Sequence, residues 1–239
     1  LIASPNFSKY DLSSIPMVFF GGSSTPTAVM KRIAEALPHT GQVQGYGMTE
    51  CNSGTVELDA LVRPDSCGLP HPGTQIRIVD DEERKLSQNQ VGQILIRNPQ
   101  LFSGYWKDPV ATEEVMKGGW YHTGDMGYLD DEGRLYISGR EKDMIIRGQE
   151  NIYPAEVETV INQHPAVSEV AVIGVPDEIF GEQVMAIMVP RDGQVIETEE
   201  VKRLCEENLA EFKVPRFMRV RDEPLPRNPG GKILKRELI

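Results

Sequence analysis

The chain has 239 residues, of which 39% are hydrophobic, and a net charge of −11 at pH 7. This length suits one large or two smaller domains, each able to bury its own core. The acidic balance argues against a nucleic-acid backbone or an anionic membrane as the main partner. No apolar run approaches the roughly 20 residues that span a bilayer, and the N-terminus lacks a signal-peptide pattern. We therefore expect a folded cytoplasmic protein without a transmembrane segment.

The cysteines are too few and too far apart for a disulfide scaffold or a zinc site. Cys51, Cys67 and Cys205 have no CxxC spacing, and we expect them to be reduced thiols. Cys205 falls on the apolar stripe of a predicted helix and is expected in a core. The chain begins Leu1-Ile2-Ala3 without a methionine, which suggests a piece of a longer protein.

The first predicted elements are a buried strand and a helix. The apolar run 15–20 ends at Gly21-Gly22 and is typical of a buried strand of an α/β sheet. Pro26 is expected to open the helix and Pro38 to close it. The residues predicted on its inner face are Val29, Met30, Ile33, Ala34 and Leu37.

A glycine-rich hexamer, Gly45-Tyr46-Gly47-Met48-Thr49-Glu50, follows the short apolar segment Val43-Gln44. Glycines let a backbone approach a ligand closely, and the tyrosine offers a stacking face. A threonine hydroxyl can bond phosphate oxygens, and a carboxylate can hold Mg²⁺ whose other ligands are waters and phosphates. The hexamer thus favours a nucleotide site, and the alternative is an ordinary surface turn. Because ligands settle beyond strand ends in open α/β sheets, we expect this turn and Gly21-Gly22 to face one cavity.

The middle of the chain predicts short antiparallel strands. Apolar and polar residues alternate at 75–79 and 92–96, and a hairpin is expected from 128–129 to 135–137 around the turn Asp130 to Gly133. This texture is typical of a small barrel or curled sheet.

After Arg140 the pattern predicts a compact α+β unit. A helix is expected from Pro154, with strands at 169–175 and 183–189. A second helix is expected with Thr198 as its N-cap and acidic residues in its first turn. The inward residues predicted for the two helices are Val157, Val160 and Ile161, and then Val201, Leu204, Cys205, Leu209 and Phe212. The boundary is predicted near 139–142.

Three further polar motifs follow the hexamer. Trp120 to Asp125 places an acidic residue after a glycine turn at the edge of a strand pair, where it suits ribose hydroxyls; the alternative is an Asx-type turn. Gly139 to Asp143 carries a run of charges that a solvated linker would also explain. Asn228 to Lys235 holds a lysine on a glycine turn, and the alternative is a frayed tail.

In this order the motifs resemble the carboxyl-terminal portion of the adenylate-forming superfamily, most closely its fatty- and aryl-acid acyl-CoA synthetases. The matching segments are 45–50, 120–125, 139–143, 148–158 and 229–235. The resemblance implies an α/β and α+β multidomain fold. Residues 1–139 would end the large AMP-binding domain, with 1–64 an α/β subdomain and 65–139 a small antiparallel β-barrel-like subdomain. Residues 140–142 would be a hinge and 143–239 a mobile α+β domain.

The implied reaction has two steps, in which ATP and Mg²⁺ activate a carboxylic acid to an acyl-adenylate and the thiol of coenzyme A then displaces AMP. The resemblance assigns Gly22, Ser23 and Ser24 to the adenine pocket, and Tyr46 and Gly47 to the adenine ring. It assigns Thr49 to phosphate, Glu50 to Mg²⁺, and Asp125 with nearby Ile137 and Arg140 to the ribose. Lys232 is assigned to the reacting carboxylate and the α-phosphate. A cation there offsets charge that builds in the transition state.

The resemblance also implies that the small domain swings about Lys142 between the two steps, because Lys232 and the thiol cannot occupy one centre together. The predicted strand Gly148-Gln149 would then border the coenzyme A tunnel. Gln149 stands where the family most often has glycine, and Ser24 replaces a common proline. The Ser/Thr/Gly-rich phosphate loop is expected upstream of Leu1, so we expect the isolated chain to lack full activity.

Alternatives within the superfamily are an amino-acid adenylation domain and a luciferase-like oxygenase. A non-catalytic nucleotide-binding module is the alternative from another class, and the joint presence of Glu50, Asp125, Arg140 and Lys232 argues against it. The spacing from Pro226 to Gly231-Lys232 also resembles sites of bacterial lysine acetyltransferases, which makes such an enzyme a predicted partner.

Overall fold

The computed structural model describes residues 2, 4, 6–22, 25, 27–228 and 231–238. The chain divides into two compact units, Leu1–Ile137 and Ser138–Ile239. Pro26, the predicted opening of the first helix, lies outside the described residues.

The first unit is a mixed α/β structure with one long antiparallel sheet. A 3₁₀ turn, Phe7–Lys9, precedes the regular elements. These are β1 Met17–Phe20, α1 Thr27–Ala36, β2 Gly41–Gln44, β3 Gly47–Met48, β4 Asn52–Ser53, β5 Thr55–Val56, β6 Ser66–Pro70, β7 Gln75–Val79, β8 Gly92–Arg97, α2 Pro109–Val115, β9 Met116–Lys117, β10 Trp120–Leu129 and β11 Leu135–Arg140, whose last residues belong to the second unit.

Strands β1 and β2 pair in parallel, with Phe20 opposite Gln44, so both strands end at the same edge. Helix α1 packs on one face of this pair through Met30, which is fully buried. The prediction of a fully buried first strand is wrong, because Met17 and Phe19 are 52% and 58% exposed. Only the alternate face, which includes Phe20, packs against α1. Val29, predicted on the inner face of the helix, is exposed as well.

The antiparallel sheet runs in the order β5-β6-β11-β10-β8-β7, and β9 also pairs with β10. The predicted strands at 75–79 and 92–96 and the predicted hairpin are confirmed. Alternation places successive residues of β8 on opposite faces. Ile94 and Ile96 pack with Leu135 in one cluster, whereas Leu95 packs with Val79 and Trp120 in another.

The second unit is built on a sheet in the order β13-β12-β15-β14, with β16 parallel to β15. Short 3₁₀ turns occur at Glu141–Asp143, Glu211–Lys213 and Lys235–Glu237. The regular elements are β12 Ile145–Arg147, β13 Glu150–Ile152, α3 Pro154–Ile161, β14 Val167–Asp177, β15 Gly181–Pro190, α4 Thr198–Asn208 and β16 Phe217–Val220.

Both faces of this sheet are covered. Val170 and Val172 of β14 face the core formed with α3 and α4, whose predicted inward residues all pack there. The intervening Ala171 and Ile173 face a second cluster that includes Leu225 and Leu238. The C-terminal segment is therefore held on the sheet face opposite the helices.

Two local predictions in this unit are wrong. The N-cap of α4 is Glu197 rather than Thr198, which is the first helical residue, and Glu197 makes no side-chain capping bond. Gly148-Gln149 is a two-residue turn rather than a strand, since Arg147 pairs with Glu150 across it. Gly148 has a φ of +66°, which side-chain-bearing residues resist.

The three cysteines form no disulfide with one another, and one of them lies in a core. Cys51, Cys67 and Cys205 are free thiols, and Cys205 is buried on the inner face of α4, in a core as predicted. Among the described residues, none of the helices is long and apolar enough to cross a bilayer.

Candidate nucleotide site

The two glycine turns face one cavity, as predicted from the strand ends. The cavity has a volume of about 470 Å³. It lies at the ends of β1 and β2, where the Gly45 N–H donates to the Phe20 carbonyl at 3.0 Å. Its lining residues are Phe19, Gly21, Gly22, Gly45, Tyr46, Gly47, Met48, Thr49, Asn52 and Ser53. Ser23 and Ser24 lie outside the described residues.

Close backbone packing explains why the hexamer needs glycine. A β-carbon on Gly47 would lie 2.0 Å from the Asn52 carbonyl oxygen, because β3 and β4 form a tight hairpin. A β-carbon on Gly45 would lie 2.8 Å from the Phe19 ring and 2.9 Å from the Thr55 carbonyl oxygen. Both positions therefore exclude any larger residue without movement of the cavity wall.

A buried ion pair anchors the strand that leads into the hexamer. Gln44, the last residue of β2, exchanges two backbone hydrogen bonds with Glu57 at 2.9 and 2.6 Å. The Glu57 side chain is 2% exposed. Its carboxylate accepts from Arg134 Nη1 at 2.7 Å and from Ser66 Oγ at 2.9 Å. The start of the hexamer is thus tied to the hairpin between β10 and β11.

A hydrogen bond between Tyr46 and Asp125, 79 residues apart, joins the hexamer to the Asp125 motif. The Tyr46 hydroxyl donates to Asp125 Oδ2 at 2.6 Å. The Tyr46 backbone is fixed too, because its carbonyl accepts from the N–H groups of Gly54 and Thr55 at 2.8 and 3.2 Å. Burial, followed by the negative charge of Asp125, raises the pKa of Tyr46 well above its usual value. The phenol therefore remains a hydrogen-bond donor across the physiological range.

Asp125 lies within strand β10 and not after a turn, which corrects the sequence prediction. The register between β10 and β8 shifts between His122 and Met126, and Gly124 has a φ of +67°. Such a bulge re-aims the side chain that follows it. Asp125 is 6% exposed, and its N–H donates to Thr123 Oγ1 at 3.0 Å.

Thr49, Glu50 and Cys51 form the turn between β3 and β4. Thr49 is exposed at the cavity, and Glu50 follows it directly. Glu50 Oε1 accepts a hydrogen bond from the Tyr105 hydroxyl at 2.8 Å. The sequence reasoning missed Tyr105; the signal was its position in an aromatic cluster, Tyr105-Trp106, just before Asp108-Pro109. Among the described residues no group of three or more His, Cys, Asp or Glu could hold a metal ion. A single carboxylate nevertheless fits Mg²⁺, which takes most ligands from water and phosphate.

Ile137 and Arg140 are both on β11. Ile137 packs against the core cluster that contains Ile94 and Leu135 in the first unit. Arg140 ends the strand in the second unit, and Lys142 lies in the 3₁₀ turn that follows it. Their predicted roles beside the ribose and at the hinge remain predictions.

The Lys232 backbone is held by two hydrogen bonds to Asn228 within the second unit. Its N–H donates to Asn228 Oδ1 and its carbonyl accepts from the Asn228 N–H, both at 2.9 Å. Arg227 Nη1 donates to the Gly231 carbonyl at 2.7 Å, and Arg227 Nη2 pairs with Glu169 at 3.1 Å. The predicted glycine turn is confirmed at Gly231, whose φ is +84°. Residues 229 and 230 of the motif lie outside the described residues.

The loop is also anchored on its far side. Lys235 Nζ pairs with Glu158 Oε1 at 2.6 Å, and the same carboxylate oxygen accepts from the Val172 N–H at 2.8 Å. Ile233 packs into the cluster with Leu225. The backbone on both sides of Lys232 is therefore fixed to the sheet, and the alternative of a frayed tail is wrong for the described residues.

Comparison with known proteins links both units to one family. The family model of AMP-binding enzymes matches residues 1–106, and that of the AMP-binding enzyme C-terminal domain matches residues 156–232. The chain is 40% identical over 242 residues to a long-chain-fatty-acid–CoA ligase of Escherichia coli O157:H7. That alignment covers 100% of this chain and 42% of the relative, so the chain spans less than half of its length.

Solved structures agree with the sequence matches. The amide bond synthetase McbA from Marinactinospora thermotolerans superposes with a TM-score of 0.89 at 33% identity, over 99% of this chain and 49% of that one. The anthranilate CoA ligase AuaEII, in complex with anthranoyl-AMP, gives 0.88 at 30% identity over 99% and 46%. With both family models matched in the order in which the motifs occur, the chain belongs to the AMP-binding enzymes of the adenylate-forming superfamily.

Proposed function

We propose that the chain is part of an acyl-CoA synthetase that activates a carboxylic acid with ATP and transfers the acyl group to coenzyme A. The observation that carries this proposal is the hydrogen bond between Tyr46 and Asp125 beside the glycine-lined cavity. It brings an aromatic ring and a carboxylate side by side, which supports the proposal because the adenine ring and the ribose of one nucleoside are likewise adjacent.

In the first step a carboxylate oxygen of the acid attacks the α-phosphorus of ATP, and pyrophosphate leaves. A carboxylate is a poor electrophile, and attached AMP gives it a leaving group. We assign Gly22, Ser23 and Ser24 to the adenine pocket, Tyr46 and Gly47 to the adenine ring, Thr49 to phosphate, and Asp125 with Ile137 and Arg140 to the ribose. The exposed Thr49 hydroxyl on the cavity wall suits a phosphate oxygen.

Lys232 is proposed to contact the reacting carboxylate and the α-phosphate in this step. Its ammonium offsets the negative charge that gathers as the two anions approach, and its anchored loop avoids reorganisation during the reaction. Glu50 would hold Mg²⁺, which when bound neutralises charge on the phosphates.

In the second step the coenzyme A thiol attacks the acyl carbon and AMP leaves with the bonding electrons. We propose that residues 140–142 form a hinge centred on Lys142, with 1–139 as the AMP-binding part and 143–239 as a mobile domain. Within 1–139 the α/β part would be 1–64 and the β-barrel-like part 65–139. The turn at Gly148-Gln149 would border the pantetheine arm, and Gln149 would narrow that passage.

The similar proteins differ in the acid they act on or carry. The E. coli relative is named for long-chain fatty acids, whereas the AuaEII structure holds an aromatic acyl-adenylate. The likeness to an amide bond synthetase favours one second candidate, in which an amine replaces the thiol as the acceptor. Amino-acid adenylation and luciferase-like oxidation share the first step and are separated by substrate.

The test is acid-dependent pyrophosphate release by the full-length product of the gene, with fatty, aryl and amino acids. Each acid is assayed with coenzyme A, with an amine or with no acceptor, and the acyl product is identified by mass spectrometry. We expect acid-dependent release and a thioester only with coenzyme A. Pyrophosphate release that does not depend on any carboxylic acid contradicts the proposal, and an amide product favours the second candidate.

Lys232 is also proposed as a target of a protein lysine acetyltransferase, because the segment from Pro226 to Lys232 has the matching spacing. Acetylation removes the charge that the first step needs and leaves the second step intact. Incubation with acetyl-CoA and a bacterial acetyltransferase should give an acetylated Lys232 peptide. An unmodified Lys232 peptide after that incubation contradicts this part of the proposal.

A further inference from the structure

The loop at 101–106 contacts Glu50 through both its backbone and its side chain. The Phe102 N–H donates to the Glu50 carbonyl at 2.7 Å. The Tyr105 hydroxyl donates to Glu50 Oε1 at 2.8 Å, although the two residues are 55 positions apart. A glutamate has three rotatable side-chain bonds, so a fixed donor at one carboxylate oxygen selects among its orientations.

Tyr105 is itself held in place. Its N–H donates to Thr112 Oγ1 at 2.9 Å. The Phe102 ring packs edge-on against both Tyr105 and Tyr121, with centroid distances of 4.9 and 5.8 Å. Tyr121 is 4% exposed in strand β10. Burial, then the charge of Glu50, then a hydrogen bond to Tyr105 raise the pKa of Tyr121, which therefore stays protonated behind Tyr105.

The arrangement is more than local packing requires. The three rings already pack against one another, and the Tyr105 hydroxyl in addition is directed at Glu50, the carboxylate that ends the glycine hexamer. A donor kept beside a carboxylate in this way is typical of residues that orient metal ligands.

We propose that Tyr105, supported by Tyr121, is a positioning residue that fixes the Glu50 carboxylate for Mg²⁺ bound with ATP. The proposal rests on the proposed function, which assigns Mg²⁺ to Glu50. Mg²⁺ demands nearly ideal octahedral geometry and tolerates a wandering ligand poorly. Loss of an outer partner of a metal ligand typically costs about 10- to 100-fold in metal affinity.

The experiment measures binding of a non-hydrolysable ATP analogue by calorimetry as Mg²⁺ is varied, in the full-length product of the gene. Tyr105→Phe keeps the ring and removes only the hydroxyl. We expect it to raise the Mg²⁺ concentration at half-maximal binding about 10-fold, with binding in the absence of Mg²⁺ unchanged. Tyr121→Phe should shift the same midpoint in the same direction by a smaller factor.

Tyr128→Phe is the matched control. Tyr128 lies on the same strand as Tyr121 and stacks on Tyr136 at a centroid distance of 5.0 Å, away from Glu50. It should leave the Mg²⁺ midpoint unchanged. Tyr105→Phe in a Glu50→Gln background should add no further shift, because the carboxylate it orients is gone, and thermal unfolding of every variant identifies any that fails to fold.

The outcomes separate this inference from the proposed function. An unchanged Mg²⁺ midpoint in folded Tyr105→Phe overturns the inference, and the proposed function stands if the wild type still releases pyrophosphate with acid. A shift of the midpoint in Tyr105→Phe that persists in the Glu50→Gln background also overturns it, because the hydroxyl then acts elsewhere. Wild-type protein that binds the analogue without any Mg²⁺ dependence overturns the assignment of Mg²⁺ to Glu50 and the inference with it.

Discussion

Tyr46→Phe removes the hydrogen bond from the Tyr46 hydroxyl to Asp125, which joins the two principal motifs of the site. The substitution keeps the aromatic ring and removes the hydroxyl that donates to Asp125 at 2.6 Å. Asp125 is 6% exposed, so water can replace the lost donor only in part. Hydrogen bonds to charged groups contribute about 1.5–3 kcal/mol, and we expect a loss in this range in the free energy of unfolding of the first unit.

Urea unfolding followed by tryptophan fluorescence suits this measurement. The chain has two tryptophans, Trp106 and Trp120, and both belong to the first unit. Trp120 is 7% exposed, and the guanidinium groups of Arg77 and Arg97 lie over its ring, so its emission should change on unfolding. The fluorescence transition therefore reports on the unit that contains Tyr46.

The controls distinguish this bond from a general effect of removing a hydroxyl. Tyr10 is 69% exposed, and Tyr10→Phe should change stability by less than about 0.5 kcal/mol. In an Asp125→Asn background, Tyr46→Phe should cost only about 0.5–1.5 kcal/mol, because the bond no longer involves a charge. If Tyr46→Phe matches Tyr10→Phe, or costs the same with Asp125 or Asn at position 125, the reasoning is refuted.

Three further predictions concern catalysis and pH. Lys232→Ala should lower the rate of acyl-adenylate formation by about 100-fold or more. Thioester formation from a supplied acyl-adenylate should be nearly unchanged. Equal losses in both half-reactions would contradict the proposed role of Lys232. Arg227→Gln removes the hydrogen bond to the Gly231 carbonyl and the ion pair with Glu169. We expect the kcat of acyl-adenylate formation to fall about 10-fold, with little change in the KM for ATP. A rise in the KM alone would argue against a positioning effect. Burial, and then the charge of Asp125, raise the pKa of Cys67 from 9.0 to about 12, so the stability this thiol contributes is complete below pH 9.0 and is lost as the pH rises through about 12. Cys67→Ala should flatten the decline in unfolding free energy above pH 9.0, and identical pH profiles for wild type and variant would refute this assignment.

Periodicity in the sequence was sufficient for the strands and helices whose two faces meet different surroundings. The strand predicted at 92–96 and the helix predicted from Pro154 occur as β8 and α3, and the predicted inward residues of the helix, Val157, Val160 and Ile161, are in the core. Glycine turns after predicted strand ends likewise placed Gly22 and Gly47 at one cavity, because parallel strands that pair must end at the same edge.

The remaining features depend on contacts between distant residues, which no local pattern encodes. The bonds from Tyr46 to Asp125 and from Tyr105 to Glu50 join residues 79 and 55 positions apart. The bulge at Gly124 follows from pairing with β8. The exposed face of β1 also could not be predicted, because an apolar run does not say which of its faces a partner covers.

A smaller set of errors came from short segments where several local structures compete. Gly148-Gln149 lies in a short polar segment between apolar residues, and its local sequence does not separate a strand from a turn. It is a turn because Arg147 pairs with Glu150 across it. Threonine is a common N-cap residue, but Thr198 is the first residue of α4 and Glu197 is its N-cap. The ends of helices and strands can shift by one or two residues, and the amino-acid sequence alone does not show which end is adopted.

The most direct test of the central claim is a crystal structure of the full-length gene product with a non-hydrolysable acyl-adenylate. We expect the adenine ring against Tyr46 and both ribose hydroxyls within hydrogen-bonding distance, about 2.5–3.0 Å, of the Asp125 carboxylate. An adenylate bound elsewhere, or one whose ribose does not reach Asp125, would contradict the account.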